Sequence, residues 1–140
     1  MTALDRQVGG DHYKDLAIQP VEFAMVLQLG FCEGCIVKYV TRWRAKGGIE
    51  DVRKASHFLQ FIEESSLYRS SLQQLRSGQV PLVDSPAAGD RYCESNDLSN
   101  PEAGVIRHIT WWAASGAEHE LKSARKWMQE LMELAIEQAD

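Results

Sequence analysis

The sequence predicts an all-α protein: a duplicated helical hairpin that forms a small bundle, with a long irregular linker between the copies. Three observations predict it. Apolar residues recur at helical spacing along most of the chain. No run alternates apolar and polar residues as a strand would. Residues 36–64, IVKYVTRWRAKGGIEDVRKASHFLQFIEE, are shadowed by residues 105–133, VIRHITWWAASGAEHELKSARKWMQELME.

Each element follows from local signals. Residues 1–10 end in Gly9-Gly10 and carry no helical period, and the polar and aromatic stretch DHYKDLAIQP leads to Pro20. Proline is favoured in a first helical turn, where its missing N–H costs nothing. A first helix is therefore expected at about 20–29, with Phe23, Val26 and Leu27 on its apolar side and Gly30 stopping it. A second covers about 33–46: Ile36, Val40 and Trp43 make one apolar face, Lys38, Arg42 and Lys46 a basic face beside it, and Gly47-Gly48 ends it. A third runs from Ile49 to about 69 or beyond, with Glu50 and Asp51 in the first turn, where carboxylates suit the helix dipole. Its buried stripe is Val52, Ala55, Leu59 and Ile62, and Glu50 and Lys54 are spaced as an i, i+4 pair. Residues 77–100, rich in Ser, Gly, Pro and Asp, read as linker. Helical pattern returns at about 101–115 and 118–139. The expected organisation is thus a helical domain with the first hairpin at 1–76, a linker at 77–100, and a second, degenerate hairpin at 101–140 packed on the first.

The two stretches align at a fixed offset of 69, as from Thr41 to Thr110. Trp43 meets Trp112, Gly47 meets Gly116, Ala55 meets Ala124 and Glu64 meets Glu133. One helical hairpin cannot bury its apolar face alone, so two copies would pack together. The differences fall on the charges. Lys38 persists as Arg107, but Arg42 becomes Trp111, Arg44 becomes Ala113, Lys46 becomes Ser115 and Lys54 becomes Ser123. The first copy is where a site is expected; the second completes the bundle.

Composition narrows the chemistry. The chain has 140 residues, with 15 Lys and Arg against 20 Asp and Glu and a net charge of −5, so it is no generic nucleic-acid binder. An apolar run long enough for a membrane span is missing, and so is a signal-peptide pattern. The expected setting is a cytoplasm with reduced thiols. Cys32-Glu33-Gly34-Cys35 is a C-x-x-C, but Cys93 is the one other cysteine, so no four-cysteine zinc set exists and this motif is not expected to hold a metal. Motifs for a P-loop, a G-x-S-x-G elbow or a zinc protease are also lacking.

Between Lys38 and Lys54 lie six basic residues and two acids. Such a patch on an acidic body suits phosphate: arginine forks bind oxygens in pairs and lysine adds a point charge. Tyr39 or Trp43 is placed to stack on a base, and Glu50 and Asp51 to hold Mg²⁺ against phosphates. Each feature has a plainer reading. A basic helix face is usually solvated, the two acids complement a helix dipole, Trp43 belongs to the core, and His57 lies on a helix flank.

HYKDLAIQPVEF followed by GCIVKYVTRWRAKGGIEDVRKASHFL resembles the small phage domain called SaV-like. The residues that carry the resemblance are His12-Tyr13-Lys14, Ile18-Gln19-Pro20, Glu22-Phe23, Lys38-Tyr39, Arg42, Lys46, Gly48, Glu50-Asp51 and Lys54-Ala55, across about residues 10–64. The resemblance implies a phage protein that binds nucleotides, with a relative that phosphorylates deoxynucleoside monophosphates such as dGMP and dTMP without a P-loop. It places Cys35 and Leu27 where that family usually has Asn. The reading that follows is a homo-oligomeric nucleoside monophosphate kinase in the host cytoplasm, using ATP and Mg²⁺. Asp51, Glu50 and His12 are the catalytic candidates. Lys14, Lys38, Tyr39, Arg42, Lys46 and Lys54 are the substrate and phosphate ligands. The alternative is a non-enzymatic phage effector that binds a host protein or sequesters a nucleotide signal to counter host defence.

Overall fold

The computed structural model describes residues 2–8, 10, 13, 15–76 and 83–139. His12 and Lys14, two of the expected site residues, lie outside them. Among the described residues a short 3-10 turn at Ala3–Asp5 precedes seven α-helices, and no strand occurs. They are α1 (Pro20–Leu27), α2 (Phe31–Arg42), α3 (Ile49–Glu64), α4 (Ser66–Arg76), α5 (Ser85–Ser95), α6 (Asn100–Ser115) and α7 (Glu118–Ala139).

Two antiparallel pairs, α2 with α3 and α6 with α7, form the body of a small helical bundle. α3 packs on α7 and α2 on α6, while α1 lies on α2 and α5 on α6. The offset that aligns the two sequences also aligns their burial. Ile36 and Val105, Val40 and Ile109, Trp43 and Trp112, Ala55 and Ala124, and Leu59 and Met128 are all at most 3% exposed. Thr41 and Thr110 each donate to the carbonyl one turn back, of Val37 and Ile106, at 2.7 Å. Where the pairs meet, Arg125 Nη1 donates to Ser56 Oγ at 2.8 Å, and these two residues correspond under the same offset. Counterparts touch one another only near the axis of a two-fold-like arrangement, so the hairpins face each other across α3 and α7.

The boundaries differ from the sequence reading at four places. α1 ends at Leu27, because Gln28 turns into the left-handed region (φ 53°), not because of Gly30. On α1, Phe23 is buried and Leu27 packs on the core, but Val26 is 60% exposed. α2 stops at Arg42, and residues 43–48 form successive turns, with Lys46 N–H donating to Arg42 O and Gly48 N–H to Trp43 O. The long third helix breaks at Ser65, whose backbone (φ −92°, ψ 86°) leaves the helical region and whose Oγ accepts from Tyr68 N–H.

The fourth difference is the largest. Within the stretch expected as linker, residues 85–95 are the helix α5, capped by Asp84, whose Oδ1 accepts from Ala87 N–H at 3.2 Å. Its buried face is Ser85, Gly89, Tyr92 and Cys93. Small residues at i and i+4 let it lie close to α6, where Gly89 faces Thr110. Tyr92 anchors it by packing its ring, tilted by 32°, on Phe23 at 4.3 Å between centroids and sharing a 2.6 Å hydrogen bond with the Thr41 hydroxyl. Burial raises the Tyr92 phenol well above its ordinary value and pushes the Cys93 thiol up to about 12.

Candidate functional site

The site grows out of the turn between α2 and α3. Asp51, in the first turn of α3, is 1% exposed. A buried carboxylate needs partners for its oxygens, and it has three. Arg42 grips it with two donors, Nε to Oδ2 at 3.0 Å and Nη2 to Oδ1 at 3.1 Å, and Gly47 N–H donates to Oδ2 at 3.0 Å. A Cβ on Gly47 would overlap that carboxylate, so only glycine lets the turn close over it. Arg42 Nη1 reaches Tyr13 Oη at 3.2 Å, which ties the segment before α1 to the same guanidinium. Burial works to lower the Arg42 pKa, but the hydrogen bonds to Asp51 and Tyr13 outweigh it and the guanidinium is raised.

Beside this pair, Tyr39 gathers cations. Lys38 Nζ lies 4.5 Å from its ring centroid, the Arg42 guanidinium carbon 4.7 Å and Lys54 Nζ 5.5 Å. A ring face attracts one cation readily; three on one ring concentrate positive charge, and among the described residues the ion pair that offsets it is Arg42–Asp51. Among the described residues no ion pair engages Lys38, Lys46 or Lys54. The arrangement can therefore take an anion against the two ammonium groups, while Arg42 holds the α2–α3 turn in shape.

The other expected residues lie differently. Glu50 is exposed and pairs with Arg53, not with Lys54. Lys46 is exposed in the turn. Trp43 is 3% exposed, so its ring is core and is not open to a base. His57 lies on the outside of α3 against Phe61. Neither Asp51, with both oxygens engaged, nor Glu50 forms a preformed cage for Mg²⁺, and no cluster of three or more metal-ligating side chains occurs among the described residues. The donor set does not fit a protein-held ion. Cys32 and Cys35 are free thiols raised by burial.

Sequence reasoning missed an aromatic path that leads away from Tyr39. Tyr39 stacks on Phe58 at 6.1 Å, and Phe58 meets Phe31 at 5.7 Å and Phe61 at 6.0 Å. Phe31 and Phe61 are 78% and 51% exposed and flank a cleft of about 300 Å³, closed by Gly30, Ser65 and Tyr68. Behind it stands Glu33, 1% exposed, whose Oε2 accepts from Tyr68 Oη and from Trp112 Nε1, the latter at 3.2 Å. A signal for Glu33 was present: its counterpart at the 69-residue offset is Glu102, also buried at 2%.

Residues 9–60 match a family described as a protein of unknown function (DUF3310). The match takes in α1, α2 and most of α3, and with them the Tyr39 cluster; the second hairpin lies outside it. No curated protein matches the chain, and no solved structure does. The class defined here is thus an all-helical bundle protein, similar over its first hairpin to a family to which no activity is attached. No helix among the described residues is long and apolar enough to cross a membrane.

Proposed function

We propose that this protein binds a nucleoside monophosphate along α2 and α3 and acts on it as a kinase. The observation that supports this best is the pairing of two unneutralised ammonium groups, Lys38 and Lys54, on the Tyr39 ring with an aromatic path to an open cleft. Phosphate oxygens would meet the ammonium groups, and the base would lie over Phe58 toward Phe31 and Phe61. Arg42 supports the reading from behind, because its grip on Asp51 fixes the turn that carries the cations. Phosphoryl transfer relies mainly on charge neutralisation and placement, which this surface offers for one phosphate. The donor nucleotide brings its own Mg²⁺ on its phosphates.

Two measurements test it. Titration calorimetry with nucleoside mono-, di- and triphosphates should show binding that weakens with salt and weakens further in the Lys38→Ala, Lys54→Ala double variant. Incubation with ATP, Mg²⁺ and dTMP or dGMP should give diphosphates. Binding without turnover reduces the reading to a nucleotide-binding protein; no binding removes it.

A second reading, a non-enzymatic effector that engages a host protein or another copy of this chain, draws on α1. Its Val21, Met25 and Val26 are 53%, 73% and 60% exposed, and clustered apolar exposure marks interaction surfaces. Met25→Glu should abolish any stoichiometric complex, and a monomer that captures no partner counts against it.

A further inference from the structure

We infer that the face on which α1, α2 and α3 meet α5, α6 and α7 is self-complementary. The partner that this three-helix unit fits is a second copy of itself, and the second half of the chain is that partner, built in.

The repeat runs further in the structure than in the sequence. At the offset of 69, PVEFAMVLQ from Pro20 aligns with GDRYCESND from Gly89 without one identical residue. The two segments nevertheless end alike. Gln28 and Asp97 correspond, and both take φ 53°. Their N–H groups donate to Met25 O and Glu94 O, each at 3.2 Å. The next N–H groups, of Leu29 and Leu98, donate to Ala24 O and Cys93 O, each at 3.0 Å. α2 and α6 then start at counterparts, Phe31 and Asn100, and so do α3 and α7, at Ile49 and Glu118. α5 is therefore the second copy of α1, and each unit has three helices.

The units meet as the halves of an isologous interface do. There a position touches its own counterpart on the axis, and contacts off the axis come in reciprocal pairs. Two axial contacts are present: the Phe23 ring on Tyr92, 4.3 Å between centroids, and Arg125 Nη1 on Ser56 Oγ at 2.8 Å. Off the axis, the buried counterparts Glu33 and Glu102 each accept from the far unit, from Trp112 Nε1 and from Arg44 Nη2, both at 3.2 Å. Two unrelated hairpins stacked together have no reason to bring equivalent positions face to face at both places. A face that pairs in this way fits its own copy.

The test exchanges residues across the axis in the full chain and reads the urea midpoint. Arg125 reaches from α7 to Ser56 and to the Glu63 carboxylate, and the counterpart of Glu63 is Met132. Ser56→Arg with Arg125→Ser moves the guanidinium to α3, opposite Met132, and leaves Glu63 without its partner, so the midpoint should fall. Adding Glu63→Met and Met132→Glu moves the carboxylate as well. A self-complementary face rebuilds the same ion pair with the helices exchanged, so the four-residue variant should regain more than half of the loss. The second exchange uses the other axial contact. Tyr92→Phe removes the hydrogen bond to Thr41 and should lower the midpoint. Adding Phe23→Tyr should raise it again, because the new hydroxyl meets Thr110, the counterpart of Thr41. Recovery in either exchange supports the inference, and where one set of variants does not fold the other decides. Recovery in neither overturns it, since the halves would then pack as unlike partners.

Discussion

The two hairpins use one packing scheme and different chemistry. At equivalent positions in their second helices stand Asp51 and Glu120. In the first hairpin Arg42 locks Asp51 with two hydrogen bonds in a pair that is nearly all buried, side chains 14% and 1% exposed. In the second the arginine position is Trp111, and Glu120 is held by His108 and His119 at 2.7 and 2.8 Å. The first hairpin adds two lysines on an aromatic ring that form no ion pair among the described residues; of the three cation positions around that ring the second keeps only Arg107, bound to Asp90 at 2.7 Å. Core positions are shared because both hairpins must bury one face against the other. The basic positions around Tyr39 diverge because nothing in the packing requires them.

The largest expected effect breaks the comparison at the turn. Asp51→Ala leaves Arg42 buried without its partner and should cost about 3–5 kcal/mol in urea unfolding. Glu120→Ala removes bonds to partly exposed histidines and should cost no more than about 1 kcal/mol. Equal losses at the two positions would deny the special role of the first turn.

Next come the core counterparts. Leu59→Ala and Met128→Ala each remove a fully buried side chain and should each cost about 2–5 kcal/mol. Similar values would confirm that the hairpins share one core; a loss confined to one of them would show two unequal layers.

A smaller effect separates the surfaces. The Lys38→Ala, Lys54→Ala double variant should weaken nucleoside monophosphate binding by roughly tenfold to a hundredfold, at about 1 kcal/mol for each charge-assisted contact, and leave the melting temperature nearly unchanged. Arg107→Ala, at the counterpart of Lys38, should leave binding intact.

The smallest lies outside both hairpins, in α5. The Cys93 thiol has an ordinary value of 9.0 and is pushed up to about 12 in the fold. A raised acid keeps its stabilising contribution below the unfolded value, and it is lost as pH rises toward the folded one. The contribution of this thiol to the melting temperature should therefore be constant up to about pH 9.0 and be lost between there and about 12, with Tyr92, Cys32 and Cys35 acting in the same direction. A Cys93→Ala variant should fall less steeply over that window.

Much of the bundle was legible in advance. Val52, Ala55, Leu59 and Ile62 were a stripe in the text and are the buried stripe of α3. The proximity of Lys38, Arg42 and Lys54 was half legible: helical spacing gave the first two one face, but only the α2–α3 packing brought Lys54 to Tyr39. α5 was not legible, since SPAAGDRYC has too few large apolar residues to show a period, and its face works by being small. The Arg42–Asp51 lock was hidden because the turn brings together side chains nine positions apart.

By itself the sequence determined the helices, their buried faces and the unequal charge of the two halves, because periodicity and composition are local properties of the chain. Only the tertiary structure decided which charges pair with one another inside the protein and which do not. Asp51 and Arg42 neutralise each other, Glu50 turns to Arg53, and Lys38 and Lys54 form no ion pair among the described residues beside Tyr39. That partition depends on distances between side chains that helix spacing alone does not fix.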